Sequence, residues 1–171
     1  MYGCCGQKYI VLYDTLLKQC SEQQIIAILG HELGHWKKSH IIKMFIVLEA
    51  FMFSTFYAMR LFLFSDDLYT SFGFTENPVI IGTFLFFVLY EPIEQIRSVL
   101  FNGYMRYLEN EADDFSSDLG YSEHLVEGLL ALERENKSGL ITDPIYSLFK
   151  HNHPPIIERV RRLRLKMNKE L

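Results

Sequence analysis

His31-Glu32-Leu33-Gly34-His35-Trp36 is the stretch on which the reading of this chain turns. Histidines four positions apart lie on one helix face, so both imidazoles can reach a single metal ion. The glutamate beside the first histidine then points at the metal's open position, where it can take a proton from water. H-E-x-x-H on a helix is therefore a zinc-hydrolase pattern, with His31 and His35 as ligands and Glu32 as general base. The competing reading is an accidental string on an exposed polar helix.

The flanks carry the pattern on a helix. Ser21 with Gln24 three residues later makes a capping box, and Ile25, Ile26, Ile28 and Leu29 supply an apolar stripe after it, so a helix starts near Glu22. Gly30 and Gly34 each cost that helix about 1 kcal/mol relative to alanine, and in return let another backbone or a substrate come close.

A catalytic zinc takes three protein ligands and keeps one position open, so a third ligand must come from elsewhere. Glu109 is the best candidate. It lies in Arg106-Tyr107-Leu108-Glu109-Asn110-Glu111-Ala112-Asp113, a helical run that ends at Gly120, with Asp113 one turn later on the same face to orient a ligand or a basic partner. Glu111 and Asp114 fall on other faces and are expected in solvent.

Glu109-x-x-Ala112-Asp113 after the H-E-L-G-H-W string resembles the membrane-embedded zinc metalloproteases of the CAAX prenyl protease 1 type, a gluzincin family. His153-Pro154-Pro155-Ile156-Ile157-Glu158-Arg159 is similar to that family's HPP-x-x-ER element, and Ile10-Val11-Leu12-Tyr13-Asp14-Thr15-Leu16-Leu17 to its stretch before the catalytic helix. Position by position, the resemblance implies one Zn²⁺ per chain held by His31, His35 and Glu109, with Glu32 as base. It implies His153 as donor to the substrate oxyanion and Arg159 as partner of the Asp113 and Glu109 region. The implied reaction removes the C-terminal tripeptide from prenylated CAAX proteins, in the endoplasmic reticulum membrane or the inner nuclear membrane, around a large intramembrane chamber. Family members carry further transmembrane helices upstream and an Asn-Ala-Tyr substrate-edge element. The chain opens inside that element, so Tyr2 and Gly3 are candidate substrate-binding residues, and the expectation is the C-terminal part of the enzyme, as a fragment or a truncated product.

At 49% hydrophobic and 15% aromatic, the composition suits a membrane protein, and two segments hold much of the excess. The first, 41–64, is long enough to cross a bilayer at 1.5 Å per residue but contains Lys43, Glu49 and Arg60. Glu49 and Arg60 lie on one face roughly 16 Å apart, too far to pair. The second, 78–101, is uninterruptedly apolar to Tyr90 and then carries Glu91, Glu94, Gln95, Ser98 and, just beyond, Asn102 at helical spacing. That polar stripe at membrane depth predicts a water-filled cavity. The competing reading of both segments is a pair of buried helices in a soluble domain. Lys37, Lys38 and Lys43 flank the first span, whereas the loop 65–77 holds Asp66, Asp67 and Glu76 and no basic residue, so positive-inside puts the catalytic helix in the cytosol. Arg161, Arg162, Arg164, Lys166 and Lys169 form a basic C-terminal helix, read equally as a solvated face or as attracted to anionic lipid.

The expected fold class is thus mainly α. It is a polytopic membrane zinc metalloprotease fragment, with two transmembrane helices between the metal-ligand helices and a small N-terminal β-hairpin. Residues 1–171 form one peptidase domain, of which 102–171 are the C-terminal helical catalytic part. The hairpin is placed at Tyr2–Cys5 and Tyr9–Tyr13 around a Gly6-Gln7-Lys8 turn, where it could hold substrate as an added strand or simply pack. Pro154 and Pro155 open the last helix and keep His153 on a stiff corner. His40, five beyond His35, falls off the ligand face, and Cys4, Cys5 and Cys20 read as free thiols. The terminal Asn-Lys-Glu-Leu resembles a lumenal retention tail but conflicts with the orientation. Partners are prenylated CAAX substrates and the lipid bilayer. No nucleic acid is expected. Two other functions stay open: a membrane quality-control zinc endopeptidase, and a catalytically inactive truncated fragment that binds partners.

Overall fold

The structure, a computed structural model, describes residues 9–136 and 143–170, and these are mainly helical. In chain order they form α1 (Asp14–Gln19), α2 (Glu22–Lys37), α3 (His40–Leu63), α4 (Asp66–Ser71), α5 (Val79–Ser116), a wide turn (Ser117–Tyr121), α6 (Ser122–Asn136), α7 (Pro144–Lys150) and α8 (Ile156–Glu170). Two compact units emerge, one from residues up to His40 and from Phe101 onward, the other Ile41–Leu100.

In the first unit, α2 starts on the capping box the sequence encodes. The Ser21 hydroxyl accepts from the Gln24 N–H at 3.4 Å, and the Gln24 side chain accepts from the Ser21 N–H at 3.0 Å. The core joins α2, α6 and α8 through Ala27, Leu125, Val126, Leu129, Val160 and Leu163. Leu125 and Leu129 are one turn apart on α6, and each such buried leucine contributes about 1.5–3 kcal/mol relative to exposure. The two glycines of the motif helix face α5. A Cβ on Gly34 would lie 3.0 Å from the Ala112 Cα, and one on Gly30 would lie 2.9 Å from the Ser116 hydroxyl. The close approach they permit is to a backbone of the same chain. Ser116 seals it by donating to the Ala27 carbonyl at 2.7 Å.

α2 does not run on into α3. Ser39 takes φ 55, the left-handed region that an L-residue enters at a cost, and α3 restarts at His40, which is 2% exposed. Ser39→Val is expected to lower stability by about 1–2 kcal/mol, while Ser39→Gly is neutral or slightly stabilising. Thermal melts of the two variants check this, and equal melting points would remove the claim that the turn is strained.

The N-terminal hairpin is not supported. Residues 1–8 lie outside the described residues, so Tyr2 and Gly3 do too. Of 9–13, Tyr9 alone has bridge-type pairing and Ile10–Tyr13 form no strand. Tyr13 already caps α1, its carbonyl accepting from Leu16 N–H at 2.9 Å, and Tyr9, Val11 and Tyr13 are exposed. Among the described residues the alternating tyrosine and β-branched pattern thus has no sheet face to pack on, and an isolated two-stranded ribbon is marginal in water.

The second unit contains α3 from Ile41, α4 and α5 through Leu100. His40–Leu63 and the helical run beginning at Val79 are long and apolar enough to cross a membrane, with mean hydropathies of 1.7 and 1.5 over their most apolar stretches. Both carry outward apolar side chains: Phe45, Phe53 and Phe56 on α3, Ile80, Phe84 and Val88 on α5. A soluble core helix would hide these groups. Between them Phe86 is fully buried and stacks on Tyr90 at 4.8 Å. Arg97 donates to Thr55 and Tyr90, lies 3.1 Å from Glu94 and covers the Phe51 ring at 4.5 Å. A cation among apolar helices is thus met by polar groups at Nη1, while its Nε is buried without a hydrogen-bond partner among the described residues.

Candidate metal centre

One face of α5 organises the site. Asn102, Arg106, Glu109, Asp113 and Ser116 follow one another at alternating steps of four and three, so their side chains line up along the helix. Asn102 donates to the Leu148 and Phe149 carbonyls at 3.1 and 3.0 Å, and Arg106 donates to the Ser147 hydroxyl at 2.8 Å and pairs with Glu158. These contacts pin α7 and the start of α8 onto α5. Asp143 begins α7 by accepting from the Ile145 and Tyr146 N–H groups, and the Pro155 carbonyl accepts the first bond of α8, so Arg159 emerges from the first turn of α8. Asn102 therefore does not belong to a water-lined stripe, as its spacing from Glu91 predicts. It is a buried tie to α7.

Above those ties, Glu109 is buried at 3% exposure and meets both histidines of α2. His31 Nε2 and His35 Nε2 are 3.1 Å apart, His35 Nε2 is 3.3 Å from Glu109 Oε1, and His31 Nε2 is 3.6 Å from Glu109 Oε2. Ligand atoms about 2.0–2.1 Å from a tetrahedral ion are separated by about 3.3 Å, close to the separation of the two histidine nitrogens and of His35 from the nearer Glu109 oxygen, and one ligand atom from each of the three residues lies within 4.8 Å of the others. His31, His35 and Glu109 are the group that could hold a metal among the described residues.

The surroundings set the protons. Asp113, fully buried, lies 2.9 Å from His31 Nδ1 and therefore receives that nitrogen's proton, leaving the Nε2 lone pair toward the centre. Arg159 grips the same carboxylate with two parallel bonds, Nε to Oδ2 at 2.9 Å and Nη2 to Oδ1 at 2.6 Å, and places Nη1 3.6 Å from Glu109 Oε2. Burial opposes ionisation of Asp113, but His31 and Arg159 outweigh it and hold its carboxyl below the usual range. Glu109 follows the same balance: burial raises it, while His153, His35, His31 and Arg159 together hold it far below an ordinary glutamate. Anionic carboxylates are the form a metal needs.

His153, on the corner before Pro154, puts Nδ1 3.1 Å from Glu109 Oε1 with its ring 60% exposed, so it stands at the open edge of the centre. Its hydrogen bond to Glu109 raises its pKa against the effect of partial burial. Glu32 is half-buried on α2, and its charge adds to those that keep Arg159 a cation. Two carboxylates and one histidine differ from the sequence expectation. Asp114 is not simply solvated but pairs with Arg162 and lies 3.4 Å from Lys166, and Lys166 donates to Asp118 at 2.6 Å, so much of the α8 basic face is matched by acids of α5 and the turn after it. Glu111 faces His40 at 3.3 Å, and His40 Nδ1 is 2.9 Å from His35 Nδ1. Spacing along a continuous helix puts His40 off the ligand face. The break at Ser39 returns it.

A metal triad carried by an H-E-x-x-H helix and a carboxylate helix is the arrangement of a metallopeptidase. Residues 1–166 match Peptidase family M48, and the chain belongs to that family. It is 43% identical to the CAAX prenyl protease 1 homolog of Oryza sativa subsp. japonica over 164 residues, covering 95% of this chain and 39% of that protein. To the Homo sapiens CAAX prenyl protease 1 homolog it is 31% identical over 202 residues, covering 95% of this chain and 42% of that protein. The crystal structure of S. mikatae Ste24p superposes with a TM-score of 0.77 at 32% identity, over 89% of this chain and 39% of that one. The chain thus spans about two fifths of the length of the curated relatives it matches.

Proposed function

We propose that the chain is the part of a CAAX-type zinc metalloendopeptidase that carries its metal centre, acting on prenylated proteins at a membrane. The observation that carries this reading is the convergence of His31, His35 and Glu109 with ligand spacing, one histidine already oriented by Asp113. Zn²⁺ held by those three residues supplies Lewis acidity, lowering the pKa of a water toward ~7 and polarising a peptide carbonyl. Glu32 takes the proton of the attacking water on its carboxylate and returns it to the leaving amine. His153, exposed at the edge of the centre, donates to the oxyanion as it forms. Arg159 holds Asp113, and through it the His31 ring, in place. The relatives' names supply the substrate class, and the outward apolar faces of α3 and α5 supply the reason for a bilayer. Lys37 and Lys38 just before α3, against the acidic loop after it, favour a cytosolic active site, as in the endoplasmic reticulum membrane.

The test pairs metal content with substrate choice. Detergent-purified chain is expected to carry about one zinc, lost in Glu109→Ala. A prenylated CAAX peptide is expected to be cleaved and its unprenylated form spared. Zinc absent from the unaltered chain would sink the metal-centre reading. Equal cleavage of both peptides would move the function to a membrane quality-control endopeptidase.

A further inference from the structure

The His31 ring has a buried carboxylate directly behind it. The structure supplies the His35 ring differently. Its Nε2 faces the metal point, so the proton of the neutral ligand sits on Nδ1 and must be donated. His40 Nδ1, at 2.9 Å, is the atom placed to accept it. A neutral His40 accepting on Nδ1 carries its own proton on Nε2, and that nitrogen lies 3.3 Å from Glu111 Oε2, a charge contact without hydrogen-bond geometry. The two imidazoles meet edge to face, 4.9 Å between centroids, which fits one ring's N–H directed at the other's lone pair.

Resting on the zinc reading above, we infer that His40 and Glu111 form a positioning relay for His35, in which His40 fixes the tautomer and angle of the second metal histidine and the Glu111 charge lies against the outer nitrogen of His40. The direction of the relay follows once His35 is a ligand, because each ring has only one proton to donate. Burial supports the assignment. His40 is 2% exposed, so water does not compete for its Nδ1, and the His35 ring is the group within hydrogen-bond reach of that atom. The backbone does as well, since the left-handed Ser39 ends α2 and starts α3 with His40 folded back toward His35. Neither residue supplies a ligand atom to the triad, so both are positioning residues.

The test compares His40→Phe with His40→Asn in the full chain. Phenylalanine keeps the ring volume and removes the acceptor, whereas the asparagine amide can place an acceptor near the site of Nδ1. Zinc affinity by chelator competition and the visible spectrum of the Co²⁺-substituted protein are the readouts. Neither depends on turnover. His40→Phe is expected to bind zinc about 10–100-fold more weakly and to shift the Co²⁺ bands, with His40→Asn recovering most of the affinity. The relay is overturned if His40→Phe matches the unaltered chain in affinity and spectrum. It is equally overturned if asparagine is as damaging as phenylalanine, which would mean packing. Failure of the unaltered chain to bind zinc overturns the relay and the metal-centre reading together, so the two failures are distinguishable.

Discussion

Glu32→Gln is expected to lower hydrolysis of a prenylated peptide by about 10²–10⁴-fold while the chain keeps its zinc. The substitution is nearly isosteric and leaves His31, His35 and Glu109 untouched, so the ligand spacing has no reason to change. What it removes is a carboxylate able to take a proton from water beside the metal and hand it to the amine. Single-turnover kinetics with metal analysis on the same preparation separate the two consequences. Retained zinc with unchanged hydrolysis would mean that another group is the base. Lost zinc would mean that Glu32 has a structural part in the centre, contrary to its place outside the triad.

Asp113→Ala is expected to destabilise the chain by about 3–5 kcal/mol, the range for removing one partner of a buried ion pair. Its carboxylate is fully buried between two cationic or protonated partners, Arg159 at 2.6 Å and His31 at 2.9 Å. Alanine leaves the Arg159 guanidinium buried with only the more distant Glu109 and Glu32 carboxylates, and leaves the His31 Nδ1 proton without its Asp113 acceptor. The loss corresponds to a melting point lower by roughly 6–20 °C for a protein of this size. Measuring with a chelator present keeps lost zinc binding from producing the shift. The paired variant Asp113→Leu with Arg159→Met is expected to recover much of the stability, since an apolar pair needs no compensation. An unchanged melting point in Asp113→Ala would show that water reaches the pair.

Local signals were legible wherever chemistry repeats along one helix. The Ser21 and Gln24 box opens α2 where the pattern puts it, and His31 and His35 share a face by helical period alone. The paired prolines precede α8. Legibility ended where a helix stops or where two faces must match. The tyrosine-rich N-terminus reads as a hairpin because residue preference ignores whether a sheet exists to receive it. Asn102 reads as part of a cavity stripe because spacing from Glu91 says nothing of α7. Asn102, Arg106, Glu109, Asp113 and Ser116 do carry a signal, the alternating four-and-three spacing of polar residues, which marks one helix face turned toward other polar groups.

What the sequence by itself determined, then, is the motif helix, the long apolar segments and the family likeness, all consequences of short-range periodicity and residue chemistry. Only the tertiary structure decided which groups meet. Glu109 reaches the α2 histidines because Gly30 and Gly34 let α5 approach within backbone contact, and Arg159 reaches Asp113 because Asn102 and Arg106 anchor α7 and α8 to that same helix. His40 joins the centre because a single left-handed residue, Ser39, breaks the helix whose continuation would carry it away. Such meetings depend on distances between elements far apart in the chain, and no local pattern encodes those distances.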